Sequence, residues 1–235
     1  MSTETDTIES LREQLAEATG ERRLTIENVS WETYLQLSAE VGNSRAIRLA
    51  YDEGTLEIMS PDFSHETCAD ALIDVVKTAA RASRIRWANG GIMDMKHPDL
   101  KKGAQADACF WFASEPAIRG KKKIEVTVDP PPELVVEVDI TSPSVRKLPF
   151  YAKIGVAEIW RYHKSAVHVY HLEDDGYVAH NTSLAFAWLP AERITRVVEE
   201  FSTLGAPDAL ENFEEWSREH GPSGRSEPRP GESQS

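Results

Sequence analysis

The chain has 235 residues, a formal net charge of −13, 40% hydrophobic and 28% charged residues, a balance that excludes a fibrous or wholly disordered protein and allows one well-packed domain. No run of 18 or more apolar residues occurs and the acidic start MSTETDTIES lacks an apolar core, so neither a membrane span nor a secretory leader is expected, and the expected location is cytoplasmic. The two cysteines, Cys68 and Cys109, lack zinc-ligand spacing and read as buried small residues. Much of the negative charge is terminal: residues 1–21 carry −5 and residues 206–235 carry −4, leaving −4 on residues 22–205. Any nucleic-acid contact would therefore rely on local basic patches.

Residues 1–21 read as a polar arm. Residues 22–205 form the expected domain, followed by an acidic helix and a Gly/Pro/Ser-rich tail over 206–235. Ser30 is placed to cap a short helix. Alternation over 45–51 and 55–59 around Asp52, Glu53 and Gly54 predicts a β-hairpin. Apolar residues Cys68, Leu72, Ile73, Val75, Val76, Ala79 and Ala80 predict a helix over 65–83, with Ser64 its expected cap. Strands are expected around 85–87, 92–95, 104–112 and 133–140. A helix from Ser144 to Ile154, closed by Gly155, should follow the turn at Ser142 and Pro143. Strands over 156–162, 166–172 and 177–180 and a helix over 191–201 complete the pattern. Helix, three strands, helix and strand in succession predict an α/β fold with a mixed central sheet, an N-terminal hairpin and extra C-terminal strands.

Asp107 interrupts one apolar strand and Glu137 another, with Asp139 two residues on and on the same face. Carboxylates buried beside apolar neighbours are costly unless partnered, and hard oxygen donors from two strands suit Mg²⁺ or Mn²⁺. The competing reading is that these acids lie at strand ends, solvated or salt-bridged. Lys147, ten residues after Glu137, can reach back over the strand end from the following helix and assist at a phosphate; Lys153 is the fallback. Glu57 and His65 flank the Met59-Ser60-Pro61 segment and could face the same cleft, His65 binding metal or a phosphate or else being a surface or capping residue, with Glu66 competing with it. Lys101 and Lys102 could touch substrate phosphates, in a rim with Arg84, Arg86 and Lys121 to Lys123. The hairpin and the strands over 166–180 could leave edges for a homodimer.

LEIMSP at 56–61 with His65, KGAQAD at 102–107, ELVVEVDITSP at 133–143 and KLPFYAKIGVAEIW at 147–160 together resemble the Uma-type restriction-endonuclease family of the PD-(D/E)XK nuclease superfamily. The resemblance covers about 25–205. It implies the αβββαβ restriction-endonuclease core, metal-dependent hydrolysis of DNA, Asp107 at the Asp of PD, Glu137 at the (D/E) position, and supporting roles for Glu57 and His65. Ala106 replaces the motif proline, and Asp139 stands where the motif has its lysine. The alternative is a catalytically degenerate nuclease fold that binds protein or nucleic acid.

Overall fold

The computed structural model describes residues 22–42, 44, 46–140, 147–174 and 176–222. The first sheet contains β1 (Arg22–Ile26), β2 (Arg48–Asp52), β3 (Thr55–Ser60), β5 (Met93–His97) and β6 (Lys102–Ala106), in the order β1-β3-β2-β6-β5, all antiparallel. Helix α1 (Trp31–Val41) lies against it. Its N-cap is Ser30, whose hydroxyl accepts from the Thr33 amide at 3.1 Å. Leu49, Tyr51 and Leu56 alternate onto the α1 side and pack with Tyr34. The close approach of β6 to α1 requires Gly103, because a methyl group there would overlap the Tyr34 hydroxyl.

The second sheet contains β4 (Ala88–Asn89), β7 (Ala108–Trp111), β8 (Leu134–Asp139), β9 (Glu158–His163), β10 (Ala166–Glu173) and β11 (Gly176–His180), in the order β11-β10-β9-β8-β7-β4. The β8–β9 pair is parallel, which makes the sheet mixed. One face is covered by α2 (Phe63–Ala82), α5 (Ala191–Thr203) and α6 (Ala206–His220), which pack on Leu134, Val136, Val138, Trp160 and Phe110. The other face meets α4 (Lys147–Ile154), whose Phe150, Tyr151 and Ile154 pack on Val135, Ile159, Cys109 and Trp111. A short helix, α3 (Glu115–Ile118), interrupts the loop after β7.

The expected order of helix, three strands, helix and strand is present, and the fold is the mixed α/β architecture expected. Four details differ. The segment over 104–112 is two strands in two different sheets, with Asp107 at the crossing. Asp62, not Ser64, caps α2: its carboxylate accepts from the His65 amide at 2.8 Å, and Ser64 donates its hydroxyl to the same oxygen. The hairpin offers no edge, because β1 covers β3 and β6 covers β2; of the segments expected to leave one, only β11 lies at a sheet edge. Helix α6, placed outside the 22–205 domain by composition, buries Ala209 and Phe213 in the same core as α2 and α5. The polar arm over 1–21, the turn at Ser142 and Pro143, the Ser144 cap and the tail beyond 222 lie outside the described residues. Among the described residues no helix is long and apolar enough to cross a membrane.

Candidate active site

The site forms where the two sheets part. Strands β7 and β8 pair in antiparallel register, Ala108 opposite Val136, so the next partner of Val138 would be Ala106. By then the chain has left for the first sheet, where β6 pairs with β2 and β5. The Asp107 side chain fills the gap, its Oδ2 accepting from the Val138 amide at 2.9 Å. A carboxylate thus replaces a lost ladder bond, which a buried N–H requires.

Asp107 is 4% exposed and has two further partners. Arg48 Nε, on β2, donates to Oδ1 at 3.3 Å, and His65 Nε2, in the first turn of α2, lies 3.4 Å from Oδ2. Arg48 also donates to Glu66 at 3.0 Å. Burial pushes the Asp107 carboxyl up, but the hydrogen bond and charge of His65, with the charges of Lys147 and Arg48, outweigh it and bring it down to about 2.

Glu137 lies on the α4 side of β8, as strand alternation from Val135 requires. Lys147 and Tyr151 stand one turn apart on α4 and so share a face. Lys147 Nζ donates to Glu137 Oε2 at 2.8 Å and to the Gln105 carbonyl at 2.9 Å; the Tyr151 hydroxyl donates to Glu137 Oε1 at 2.5 Å. Gln105 is itself pinned, accepting from the Leu49 amide and donating to the Gly42 carbonyl. Burial raises the Glu137 carboxyl to about 7; Lys147 and Tyr151 oppose the rise while the Asp107 charge adds to it. Burial works to lower the Lys147 pKa, but the Glu137 and Asp107 charges prevail and raise it, so the ammonium stays charged.

A second charged chain links the sheets beside Glu137. Asp139 accepts from Arg161 Nε on β9 at 2.6 Å and lies 3.6 Å from Arg23 on β1; Arg23 reaches Glu57 on β3 at 2.5 Å. Glu57 and Lys147 line a narrow cleft with Thr25, Lys102 and Phe150.

Asp107, Glu137, Lys147, His65, Glu57 and Asp139 therefore all gather where the sheets part, although of the six only Glu57 and Lys147 line the cleft and the other four are buried behind it. Among the described residues, however, no group of three or more His, Cys, Asp or Glu side chains is arranged to hold a metal ion, so the Asp107, Glu137 and His65 set is not a preformed three-ligand cluster. Lys153 is exposed in the last turn of α4. Lys102 reaches the cleft but pairs with Asp52 at 2.6 Å and Glu53 at 3.5 Å, while Lys101 sits exposed in the preceding turn. Arg84 and Arg86 follow the far end of α2, about 25 Å along its axis from His65. Lys121 and Lys123 pair with Asp129 and Glu125. The expected single phosphate rim is thus divided, because its members were grouped by charge and their distances were set by the fold.

Arg48, Tyr151, Arg23 and Arg161 were missed. Tyr151 was legible as the residue one turn after Lys147. Arg48 and Arg161 were signalled by being charged within apolar strands. Nothing local marked Arg23.

The family model of Uma2, described as "Putative restriction endonuclease", matches residues 31–203. The chain belongs to the Uma2 family. Asp107, the Glu137 strand, α4 and β9 all lie within the matched span. Among solved structures, the chain is similar to one titled a "putative nuclease belonging to DUF820" from Anabaena variabilis ATCC 29413, at 14% identity and a TM-score of 0.49, covering 72% of this chain and 99% of that one. No curated protein matches.

Proposed function

We propose that this Uma2 member is a metal-dependent DNA endonuclease that hydrolyses phosphodiester bonds, with Asp107 and Glu137 holding Mg²⁺ or Mn²⁺ and Lys147 acting beside them. The observation that carries this reading is the pair of buried carboxylates where the sheets part, with an ammonium 2.8 Å from one of them. The donor set fits the ion. Both acids offer hard oxygens, and Mg²⁺ commonly takes only one or two carboxylates and keeps waters. Burial is the largest cause of the raised Glu137 pKa, and a divalent cation bound there would favour the ionised carboxylate. Bound there, such an ion supplies Lewis-acid polarisation of the phosphate and a water of lowered pKa.

The chain's own residues do the rest. Lys147 has three N–H donors, of which Glu137 and the Gln105 carbonyl take two; the third can meet a phosphate oxygen as charge develops on it. Tyr151 fixes the Glu137 rotamer, and Val138, Arg48 and His65 fix Asp107. His65 acts through Asp107 in this reading. Lys102 at the cleft rim is the phosphate contact best placed for substrate.

Cleavage of plasmid and single-stranded DNA in Mg²⁺ or Mn²⁺, compared among wild type, Asp107→Ala and Glu137→Ala, tests the proposal. Metal-dependent cleavage by wild type alone is expected, abolished by EDTA; equal cleavage by all three refutes it. One observation favours a second reading, a nuclease fold retained for binding: all four oxygens of the two carboxylates already contact protein donors. Titration calorimetry separates the two. Mn²⁺ binding lost in Glu137→Ala supports the enzyme, and no Mn²⁺ binding by wild type supports the binding module.

A further inference from the structure

Arg161 is 8% exposed and permanently charged. Its Nε donates to Asp139, but among the described residues its Nη2 is buried with no hydrogen-bond partner. A buried charged donor without an acceptor is costly, and native proteins rarely keep one without a reason. The parallel register sets Arg161 directly beside Glu137. Strand alternation from Ile159 and Val135, which share the α4-side core, turns Arg161, Glu137 and Asp139 to one face. Lys147 flanks Glu137 from α4, and Arg161 flanks it from β9.

The surrounding charges do not use up this cation. Asp139 is shared with Arg23, and Arg23 goes on to Glu57. The Asp139 carboxylate is thus divided between two arginines, and its contact with Arg161 is through Nε, not through the buried Nη2. An acceptor brought there must be an anion small enough to enter beside Glu137, and a guanidinium favours phosphate oxygens.

We propose that Arg161 contacts a backbone phosphate of a nucleic-acid strand bound beside Glu137 and that Asp139 is its positioning residue. The acid at the motif's lysine position then has a purpose: it orients an arginine delivered from the next strand. The proposal deepens the hydrolase reading and rests on it for the identity of the anion.

Anisotropy of a labelled single-stranded oligonucleotide in EDTA measures the contact without metal or cleavage. Arg161→Gln should weaken binding about tenfold and flatten the plot of log affinity against log salt by about 0.7. Arg161→Lys should weaken binding less and keep the slope, because it keeps the charge. Asp139→Asn should keep affinity within about threefold and lower kcat at unchanged KM. Unchanged affinity and slope in Arg161→Gln overturn the proposal, whatever its melting temperature. If the variants fail to fold, wild-type crystals grown with a phosphorothioate dinucleotide decide it: a phosphate against Nη2 supports the contact, and one bound elsewhere overturns it. Wild type that binds through Arg161 yet cleaves nothing in Mg²⁺ or Mn²⁺ would remove the hydrolase reading alone. Wild type that cleaves with an indifferent Arg161 would remove this proposal alone.

Discussion

Replacing Lys147 with methionine keeps the length and apolar stem of the side chain and removes its charge. That charge sits 2.8 Å from Glu137 and opposes the burial that holds the carboxyl at about 7, so its loss raises the carboxyl further. A carboxyl raised in the fold above its ordinary 4.5 contributes stability that is complete below 4.5 and is lost as pH climbs to the folded pKa. In wild type this loss ends near pH 7 and totals roughly 3 kcal/mol, at about 1.4 kcal/mol per pH unit. In Lys147→Met it continues past pH 7, because the native state holds its proton longer. The variant's extra destabilisation should therefore be modest at pH 6 and grow by about 1.4 kcal/mol per unit above pH 7. It should level off near the roughly 3–5 kcal/mol typical of a buried pair broken on one side. Lys147's own raised pKa holds its contribution constant below about 10, so it leaves this window untouched. Urea unfolding of both proteins at pH 6, 7, 8 and 9, with the m-value checked for constancy, measures the effect. A pH-independent difference across that range would refute the ion pair and the protonation argument together.

Asp107, lowered from 3.8 to about 2, contributes stability that is present above pH 4 and lost as pH falls through 2. Asp107→Asn should remove that acid limb and cost about 2 kcal/mol at neutral pH, seen as a melting temperature that no longer falls as steeply between pH 4 and 2. Tyr151→Phe deletes a donor that lowers the Glu137 pKa, so the rising limb of kcat/KM against pH in Mn²⁺ should move to higher pH by roughly half a unit to one unit; an unmoved limb would show that another group sets it. Glu158, 1% exposed, accepts from the Trp160 indole and the Leu184 and Ala185 amides. Glu158→Ala should cost about 3 kcal/mol or more in urea unfolding by orphaning three donors.

Where periodicity is local, the sequence was informative. The apolar spacing from Cys68 to Ala80 is the buried face of α2, and the alternation around Asp52, Glu53 and Gly54 is the β2–β3 hairpin. The site was partly legible for the same reason: an acid within each of two apolar strands stands out, and Lys147 lies at a spacing from which a helix can reach back. The crossing at Asp107 was not legible. Residues 104–112 look like one continuous apolar strand, and only competition between β2 and β8 for pairing partners splits it. The cap of α2 lies two residues before the expected one because Asp62 and Ser64 are both good caps, and the choice is made by which backbone amide the side chain can reach.

By itself the sequence determined the element types and the mixed α/β class, since these depend on side-chain period and local chemistry, and it marked Asp107, Glu137 and Lys147 as candidates. The tertiary structure alone decided that the sheets part at Asp107, that Arg48, Arg23 and Arg161 bring their charges to the carboxylates, and that Arg84 and Arg86 lie far from them. Electrostatic partnership depends on distance through space, and residues 23, 57, 139 and 161 meet only after two sheets have been assembled.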